Sequence, residues 1–267
     1  MLTKGAIEIF RGPLNPKFLA TVGEDGKPNV VLIISLTVPK EDHLAFGEFM
    51  IWKTKKNLLH DNRVYILAFT QQLRATGGRG IFKEFVKTGP DVDYINNNEL
   101  FRYNAYTGIR SAGIIQPVSE FKTFRIPVLQ NLNGVILSKI GKALQREAGN
   151  SIEIPEAVRE KFDRLIGFKV ISFVEDDGFP FIYPTLAMGL KGDLLFFPIM
   201  RYMKKIKKLR KGQYIAVNIL TLEPASYQLK GIYEGIGHLG ITPFAKVRVK
   251  EVYSASPPVP GELIARS

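Results

Sequence analysis

"KTKKNLLHDNRVYILAFT", residues Lys53–Thr70, joins a short basic segment to a strongly apolar run, and it returns later as "KKIKKLRKGQYIAVNILT", residues Lys204–Thr221. In each copy the basic segment is typical of a short helix. The run after the turn, rich in β-branched residues, is typical of a buried strand. The copies lie 151 residues apart (204 − 53). A repeat of this kind indicates two copies of one fold in a single chain.

A hairpin pattern precedes each copy at nearly the same spacing. "LATVGEDGKPNVVLIIS" from Leu19 has a strand, an Asp-Gly turn and a second strand, and "ISFVEDDGFPFIYPTLAM" from Ile171 repeats it. Asp177-Gly178 therefore repeats Asp25-Gly26, 152 residues later (177 − 25). A third strand follows in each half, as "DHLAFGEF" from Asp42 and "GDLLFFPI" from Gly192.

The last strands of the halves also correspond. We match "RGIFKEFVKTGP" from Arg79 with "SYQLKGIYEGIG" from Ser226, and "IIQPVSEFKTFRI" from Ile114 with "GITPFAKVRVKEV" from Gly240. An antiparallel sheet of this kind must pair or close its edges, so the pattern predicts a mainly β protein, with some α, built from two small barrels.

Two segments have no counterpart in the other half. An insertion at about residues 91–113 is rich in Asn and Tyr, and residues 127–167 contain two helical patterns, with Pro155 near one helix start. The predicted domains are a first barrel over 1–126, a helical connector over 127–167 and a second barrel over 168–267.

The composition is that of a soluble globular protein, with 45% hydrophobic and 23% charged residues. The chain has no cysteine, its three histidines are scattered without metal-ligand spacing, and no long apolar run is present, so we expect no metal site, no membrane span and a cytoplasmic protein. The net charge of +12 invites a nucleic-acid role, but the run Lys204–Lys211 lacks a recognition signature. A solvated face is the favoured interpretation, and nucleic acid is an unlikely partner.

The first half resembles the flavin-binding split-barrel proteins related to pyridoxamine 5′-phosphate oxidase. The resemblance rests on the hairpin, on the Lys-Thr pair followed by Asn at the helix start, and on the next strand, all within Phe18–Val86; Phe168–Gly235 matches more loosely. It implies two tandem split β-barrels that form a pseudo-dimer, joined by the connector, with FMN bound in a cleft between barrels. The chain would then be a monomeric pseudo-dimer or a homodimer.

The resemblance also implies a set of cofactor-binding residues. A Lys, a Thr hydroxyl and the amides of a helix start suit a phosphate, so Lys53 and Thr54, with Asn57 one turn on, are the candidates for the FMN phosphate. The alternative is that Thr54 is only an N-cap and Lys53 a surface charge. The remaining candidates, which would face the flavin ring, are Ile34, Ser35, Met50, Ile51 and Trp52.

The second half departs from this pattern. Lys204, Lys205 and Lys208 replace Lys53, Thr54 and Asn57, so the hydroxyl and the amide are lost. In contrast, "SYQLKG" resembles the strand motif that reaches the flavin from the partner barrel in relatives. We therefore predict one well-formed site, to which the second half contributes Gln228 and Lys230.

The expected function is that of an FMN-dependent oxidoreductase acting on a small molecule, with NADH or NADPH as a possible electron donor, since a flavin supplies hydride and electron chemistry. Within the insertion, Tyr103 and Arg110 are candidates for binding a polar or anionic substrate, because an Arg offers a fork of donors to an oxyanion. They could equally belong to a loop that caps the barrel. The alternatives are a flavin-binding electron carrier or store without turnover, and a barrel that binds haem or deazaflavin.

Overall fold

The computed structural model of the protein describes residues 1–98, 108–126, 136, 139–163, 168–199, 203–220, 226–255 and 261–267. It is mostly β, with two separate antiparallel sheets that match two tandem split-barrel-like domains, and this confirms the predicted fold class. By its contacts the chain divides into two compact units. Unit 1 comprises Met1–Pro127 and Asp176–Ile182, and unit 2 comprises Val128–Glu175 and Tyr183–Ser267.

The first sheet has seven strands in the order β2-β1-β4-β5-β6-β3, with β7 paired to β5. The strands are β1 Lys17–Val22, β2 Pro28–Leu32, β3 Leu44–Gly47, β4 Arg63–Phe69, β5 Arg74–Val86, β6 Ala112–Pro117 and β7 Thr123–Arg125. The predicted insertion thus ends inside β6, whose first two residues pair with β3 and β5.

The second sheet has eight strands and repeats this order, read from its other edge as β9-β8-β12-β13-β14-β11-β10, with β15 paired to β14. The strands are β8 Phe168–Val174, β9 Pro180–Thr185, β10 Gly189–Lys191, β11 Leu194–Pro198, β12 Tyr214–Leu220, β13 Ser226–Leu239, β14 Thr242–Ser254 and β15 Leu263–Arg266. Each strand from β1 to β6 has a counterpart in the same place, so the predicted duplication is visible in the topology itself.

The turns that join the first two strands of each half have the predicted chemistry. Gly26 and Gly178 both adopt a positive φ, of 69° and 81°. Since a side chain is rarely tolerated in this backbone region, the glycines allow the tight turn in both halves. The segment around Gly178 belongs to unit 1, where Asp177 forms an ion pair with Arg79 at 2.7 Å.

The strand registers repeat at nearly the spacing read from the sequence, with three corrections. Tyr65 pairs with Arg79 as Ala216 pairs with Lys230, so Lys230 takes the position of Arg79, 151 residues later (230 − 79). The sequence match of Arg79 with Ser226 is therefore wrong by four residues. Because both strands contain glycines, their side-chain patterns do not fix the alignment of the two sequences. The hydrogen-bond ladder sets the register.

The match of Ile114 with Gly240 is wrong by six, because Gly80 pairs with Pro117 as Gly231 pairs with Val249. The match of Asp42 with Gly192 is wrong by one, because Leu44 pairs with Ile115 as Leu195 pairs with Val247.

Five α-helices and one short 3-10 helix lie among the described residues. They are α1 Lys4–Arg11, α2 Trp52–His60, α3 Pro90–Asn96, the 3-10 helix Leu144–Arg146, α4 Glu156–Asp163 and α5 Met203–Ile206, and residues 139–143 are also helical. Pro155 directly precedes α4, as predicted. The sequence analysis did not anticipate α1, whose Thr3 side chain accepts a hydrogen bond from the Ala6 amide as an N-cap.

Each unit has its own apolar core. In unit 1 the inward side chains of β1, β3 and β4 pack with α1 and α2, and Phe46 lies fully buried there with its ring 6.0 Å from that of Phe85. In unit 2 Ile140 and Leu144 of the connector pack on Leu194 and Phe196 of β11. The connector is thus part of the unit 2 core. No helix in the described part of the chain is long and apolar enough to cross a membrane.

Candidate functional site

The first backbone amides of α2 have no hydrogen-bond partner within the helix, so they suit an anionic ligand. The N-cap residue, Ile51, offers no side-chain hydrogen bond, and the first bond of the helix runs from the Lys55 amide to the Ile51 carbonyl at 2.7 Å. The amides of the first turn precede this ladder, and together with the helix dipole they favour an anion. The sequence predicted a short basic helix here, and the structure contains it.

Thr54 lies further along α2 than an N-cap residue. It is the third residue of the helix, so the alternative that it caps α2 is wrong. Its side chain is only 2% exposed, and no described residue forms a hydrogen bond with its hydroxyl. Lys53, half-buried, stands beside it. Thr54 is therefore a buried residue in the first turn of a helix that no side chain caps.

Asn57, the third phosphate candidate, is tied to the first strand. Its side-chain amide donates to Thr21 Oγ1 at 3.0 Å, and both residues are buried. This bond fixes α2 against β1. In this structure the amide of Asn57 therefore orients the helix on the sheet.

Ser35 and Ile34 lie where the segment after β2 passes the end of β3. The Ser35 hydroxyl accepts a hydrogen bond from the Gly47 amide at 3.0 Å and is buried. Ile34 is its exposed neighbour, and its carbonyl accepts from the buried ammonium of Lys17 at 3.3 Å. Burial lowers the pKa of Lys17 to about 8. The polar contacts hold this segment in place while the Ile34 side chain faces water.

Three apolar members of the predicted site are exposed rather than packed in the core. Ile34 is 44%, Met50 50% and Trp52 62% exposed, whereas Ile51 between the last two packs against the core of unit 1. Met50 also has a φ of 39°, an uncommon backbone conformation for a residue with a side chain. Strain of this kind costs about 1–3 kcal/mol and concentrates at functional sites.

A carboxylate whose negative charge is balanced by a lysine lies beside the helix start, and it was not predicted from the sequence. Glu48 is buried and accepts hydrogen bonds from Lys55 Nζ and Ser111 Oγ, both at 2.5 Å. Burial opposes its ionised form, but the bonds from Lys55 and Ser111 outweigh this and lower the pKa of Glu48. Lys55 also lies 5.0 Å from the centre of the Phe85 ring.

The insertion brings one of its two substrate candidates to the same place. The guanidinium carbon of Arg110 lies 4.9 Å from the centre of the Trp52 ring, a cation–π distance. Arg110 also contributes to the lowered pKa of Glu48. Tyr103, the other candidate, lies outside the described residues.

Gln228 and Lys230 belong to unit 2, on β13. Both are buried, with Gln228 opposite Asn218 on one side and Tyr253 on the other. Lys230 pairs in register with Glu251, and its ammonium lies 5.7 Å from the Tyr253 ring centre. These contacts give both residues a defined place within unit 2.

The counterpart of α2 in unit 2 is much shorter. α5 has four residues, Met203–Ile206, and Lys205, at the position of Thr54, forms an ion pair with Glu175 at 2.5 Å. A helix of this length has only a weak dipole, and Lys205 is already neutralised, whereas Lys204, at the position of Lys53, is exposed. The two halves therefore differ at the position predicted to bind phosphate.

The residues of unit 1 fit a ligand that is anionic at one end and flat and apolar at the other, as FMN is. The α2 start with Lys53 and Thr54 suits a phosphate, and the exposed Ile34, Met50 and Trp52 suit a ring system. Among the described residues no group of three His, Asp or Glu side chains is placed to hold a metal ion.

Comparisons with known proteins were made with both the sequence and the structure. No family model and no curated protein matches the sequence. Among solved structures the chain is similar to an FMN-binding protein from Syntrophomonas wolfei, at 16% identity and a TM-score of 0.37, over 46% of this chain and 87% of that one.

Two further structures match at a similar level. An F420 reductase is 20% identical over 45% of this chain and 98% of its own, with a TM-score of 0.36. A putative pyridoxamine 5′-phosphate oxidase from Lactobacillus delbrueckii is 20% identical over 47% and 93%, with a TM-score of 0.31. The FMN-binding protein and the putative oxidase are of the kinds that the sequence resemblance named; the F420 reductase is not. At such TM-scores they carry no conclusion about what this chain binds.

Proposed function

We propose that unit 1 binds FMN and that the protein is an FMN-dependent oxidoreductase acting on a small molecule. One observation carries the proposal: a helix start without a side-chain cap has a Lys and a buried Thr in its first turn and lies beside exposed apolar side chains. Lys53, Thr54 and the first-turn amides of α2 would hold the phosphate. Ile34, Met50 and Trp52 would contact the ring.

FMN, when bound, supplies the hydride and electron chemistry. The chain's own residues bind and orient the group. Ser35, held by the Gly47 amide, keeps the segment that carries Ile34 against the end of β3. Glu48, neutralised by Lys55, leaves the helix start without an opposing free negative charge. The electron donor we propose is NADH or NADPH.

The test uses the only tryptophan of the chain as a probe. Titration with FMN should quench Trp52 fluorescence, saturate near one FMN per chain and produce a flavin spectrum in the purified complex. A chain with Lys53→Ala and Thr54→Val should bind FMN at least about tenfold more weakly, because a charge-assisted hydrogen bond contributes about 1.5–3 kcal/mol. Riboflavin, which lacks the phosphate, should bind both proteins alike.

The matched control is Lys56→Ala on the same helix, since Lys56 is exposed and pairs with Glu24 at 2.9 Å. It should bind FMN like the wild type. A protein that does not bind FMN, or that binds riboflavin as tightly as FMN, contradicts the proposed site. Reduction of the bound flavin by NADH or NADPH, with reoxidation by a small acceptor, would separate an oxidoreductase from an electron carrier or flavin store.

A further inference from the structure

Arg110 is an exposed cation in unit 1 that forms no ion pair with a described carboxylate. Within the described part of the chain, no Asp or Glu lies at ion-pair distance from its guanidinium. Glu48, whose pKa the charge of Arg110 helps to lower, already accepts hydrogen bonds from Lys55 and Ser111. The positive charge of Arg110 is therefore available to a ligand.

The backbone on both sides of Arg110 is fixed. The Ile109 amide donates to the Asn96 side chain at 3.0 Å, at the end of α3. The Ser111 carbonyl accepts from the Glu48 amide at 2.8 Å, where β6 begins beside β3. Arg110 stands between these two anchors, so its position is set by the sheet and by α3.

The guanidinium is also oriented by its contact with Trp52. At 4.9 Å from the ring centre, the cation lies against an indole that is itself mostly exposed and forms the first residue of α2. A stacked guanidinium retains its donors for an oxyanion, and its planar fork suits a carboxylate or phosphate in two parallel bonds. The exposed indole adds a flat apolar surface beside that fork.

We propose that Arg110 and Trp52 form the substrate-binding platform of the site, and that the substrate is a small planar or aromatic molecule carrying a carboxylate or a phosphate. Arg110 binds the oxyanion, and Trp52 contacts the flat apolar part. This inference rests on the proposed function, since the bound molecule is taken to be the one that exchanges electrons with the flavin.

The experiment follows Trp52 fluorescence while benzoate, phenyl phosphate or neutral benzyl alcohol is titrated into the full chain without added flavin. We expect at least one of the two anions to give a saturable change below about 10 mM, which covers millimolar affinities. We expect benzyl alcohol to give none. Which anion binds more tightly decides between a carboxylate and a phosphate as the recognised group.

Three variants sharpen the result. Arg110→Met should weaken anion binding at least about tenfold, because it removes a charge-assisted pair. Arg110→Lys should fall between Met and wild type, since it keeps the charge and loses the fork. Arg125→Met, which removes another exposed arginine of unit 1, should bind the anions like the wild type.

Several results would overturn the proposal. These are no saturable effect of either anion, equal binding of benzyl alcohol, or unchanged anion binding in Arg110→Met. Loss of the preference for FMN over riboflavin in Arg110→Met would instead assign the guanidinium to the cofactor phosphate. Because the anion titration needs no flavin, its failure is distinguishable from failure of FMN to quench Trp52, which concerns the proposed function.

Discussion

His43 and Asp193 each stand directly before one of two corresponding strands, β3 in the first sheet and β11 in the second. The His43 ring lies between two carboxylates, with Nδ1 2.6 Å from Asp42 and Nε2 3.0 Å from Asp91 in the first turn of α3. Asp193 instead accepts hydrogen bonds from the connector and from Arg248, at 2.6 Å for the latter.

In both halves the residue directly before this strand holds the segment that the other half lacks, once with a histidine and once with an aspartate. His43 binds the helix of the insertion, and Asp193 binds the amides of Gly149 and Ser151 in the connector. The strand order is maintained by backbone hydrogen bonds, which form with almost any side chain. A residue just outside the ladder is therefore free to change with the segment it must hold.

The largest expected effect is at Asp193, whose side chain is 1% exposed. Asp193→Ala leaves two backbone amides, a Ser hydroxyl and Nη1 of Arg248 without their acceptor, while Arg248 keeps its pair with Glu234. Breaking a buried pair costs about 3–5 kcal/mol, so we expect a loss of that size in the free energy of unfolding, measured with denaturant.

Two comparisons test that result. Glu120→Ala, in an exposed ion pair with Lys122, should cost less than about 1 kcal/mol. His43→Ala should also cost clearly less than Asp193→Ala, because Asp42 beside it is mostly exposed. Equal losses in His43→Ala and Asp193→Ala would break the comparison between the two halves.

The second effect is on stability in acid. Burial alone would raise the pKa of Asp193, but the bonds from Ser151, Arg248 and Gly149 outweigh it and lower the pKa to about 2. Because the folded pKa lies below the ordinary 3.8, this contribution is complete above pH 3.8 and is lost as the pH falls through about 2. The free energy of unfolding of the wild type should therefore fall more steeply in this window than that of Asp193→Asn. Parallel curves would show that the carboxylate is not held as described.

The smallest effect concerns His43 and has the opposite sign. Burial would lower its pKa, but the hydrogen bonds to Asp42 and Asp91 prevail and raise the pKa above the ordinary 6.5. The stabilisation is then complete below pH 6.5 and is lost as the pH rises through the raised value.

We expect the advantage of the wild type over His43→Asn to shrink by up to about 1 kcal/mol between about pH 5 and pH 9. Unfolding curves over this range, together with hydrogen exchange of the α3 amides, measure it. Asp91→Asn is the matched control, since it removes the His43–Asp91 ion pair by changing the carboxylate instead of the imidazole. A pH-independent difference would mean that the imidazolium does not hold α3.

Short-range patterns account for what could be predicted of the fold. The Asp-Gly turns, the apolar strands and Pro155 before α4 depend on neighbours within a few residues, and their spacing was enough to reveal two copies. The match of Arg79 with Ser226 failed because register depends on pairing with a distant strand, and α1 was missed because its four apolar positions form only two turns.

The same distinction between local and distant residues applies to the candidate site. Lys53, Thr54 and the exposed neighbours of α2 could be proposed because they are close in sequence. The partners that shape the site could not, since Ser111 lies 63 residues from Glu48 and Thr21 lies 36 residues from Asn57.

By itself the sequence determined that the chain is a mainly β duplication with a basic helix before a buried strand in each half, because periodicity and turn chemistry are local properties. Only the tertiary structure decided that Thr54 is buried, that Arg110 stands over Trp52, and that His43 and Asp193 each hold a segment that the other half lacks. Each of these depends on segments far apart in the chain, which meet only when the strands pair.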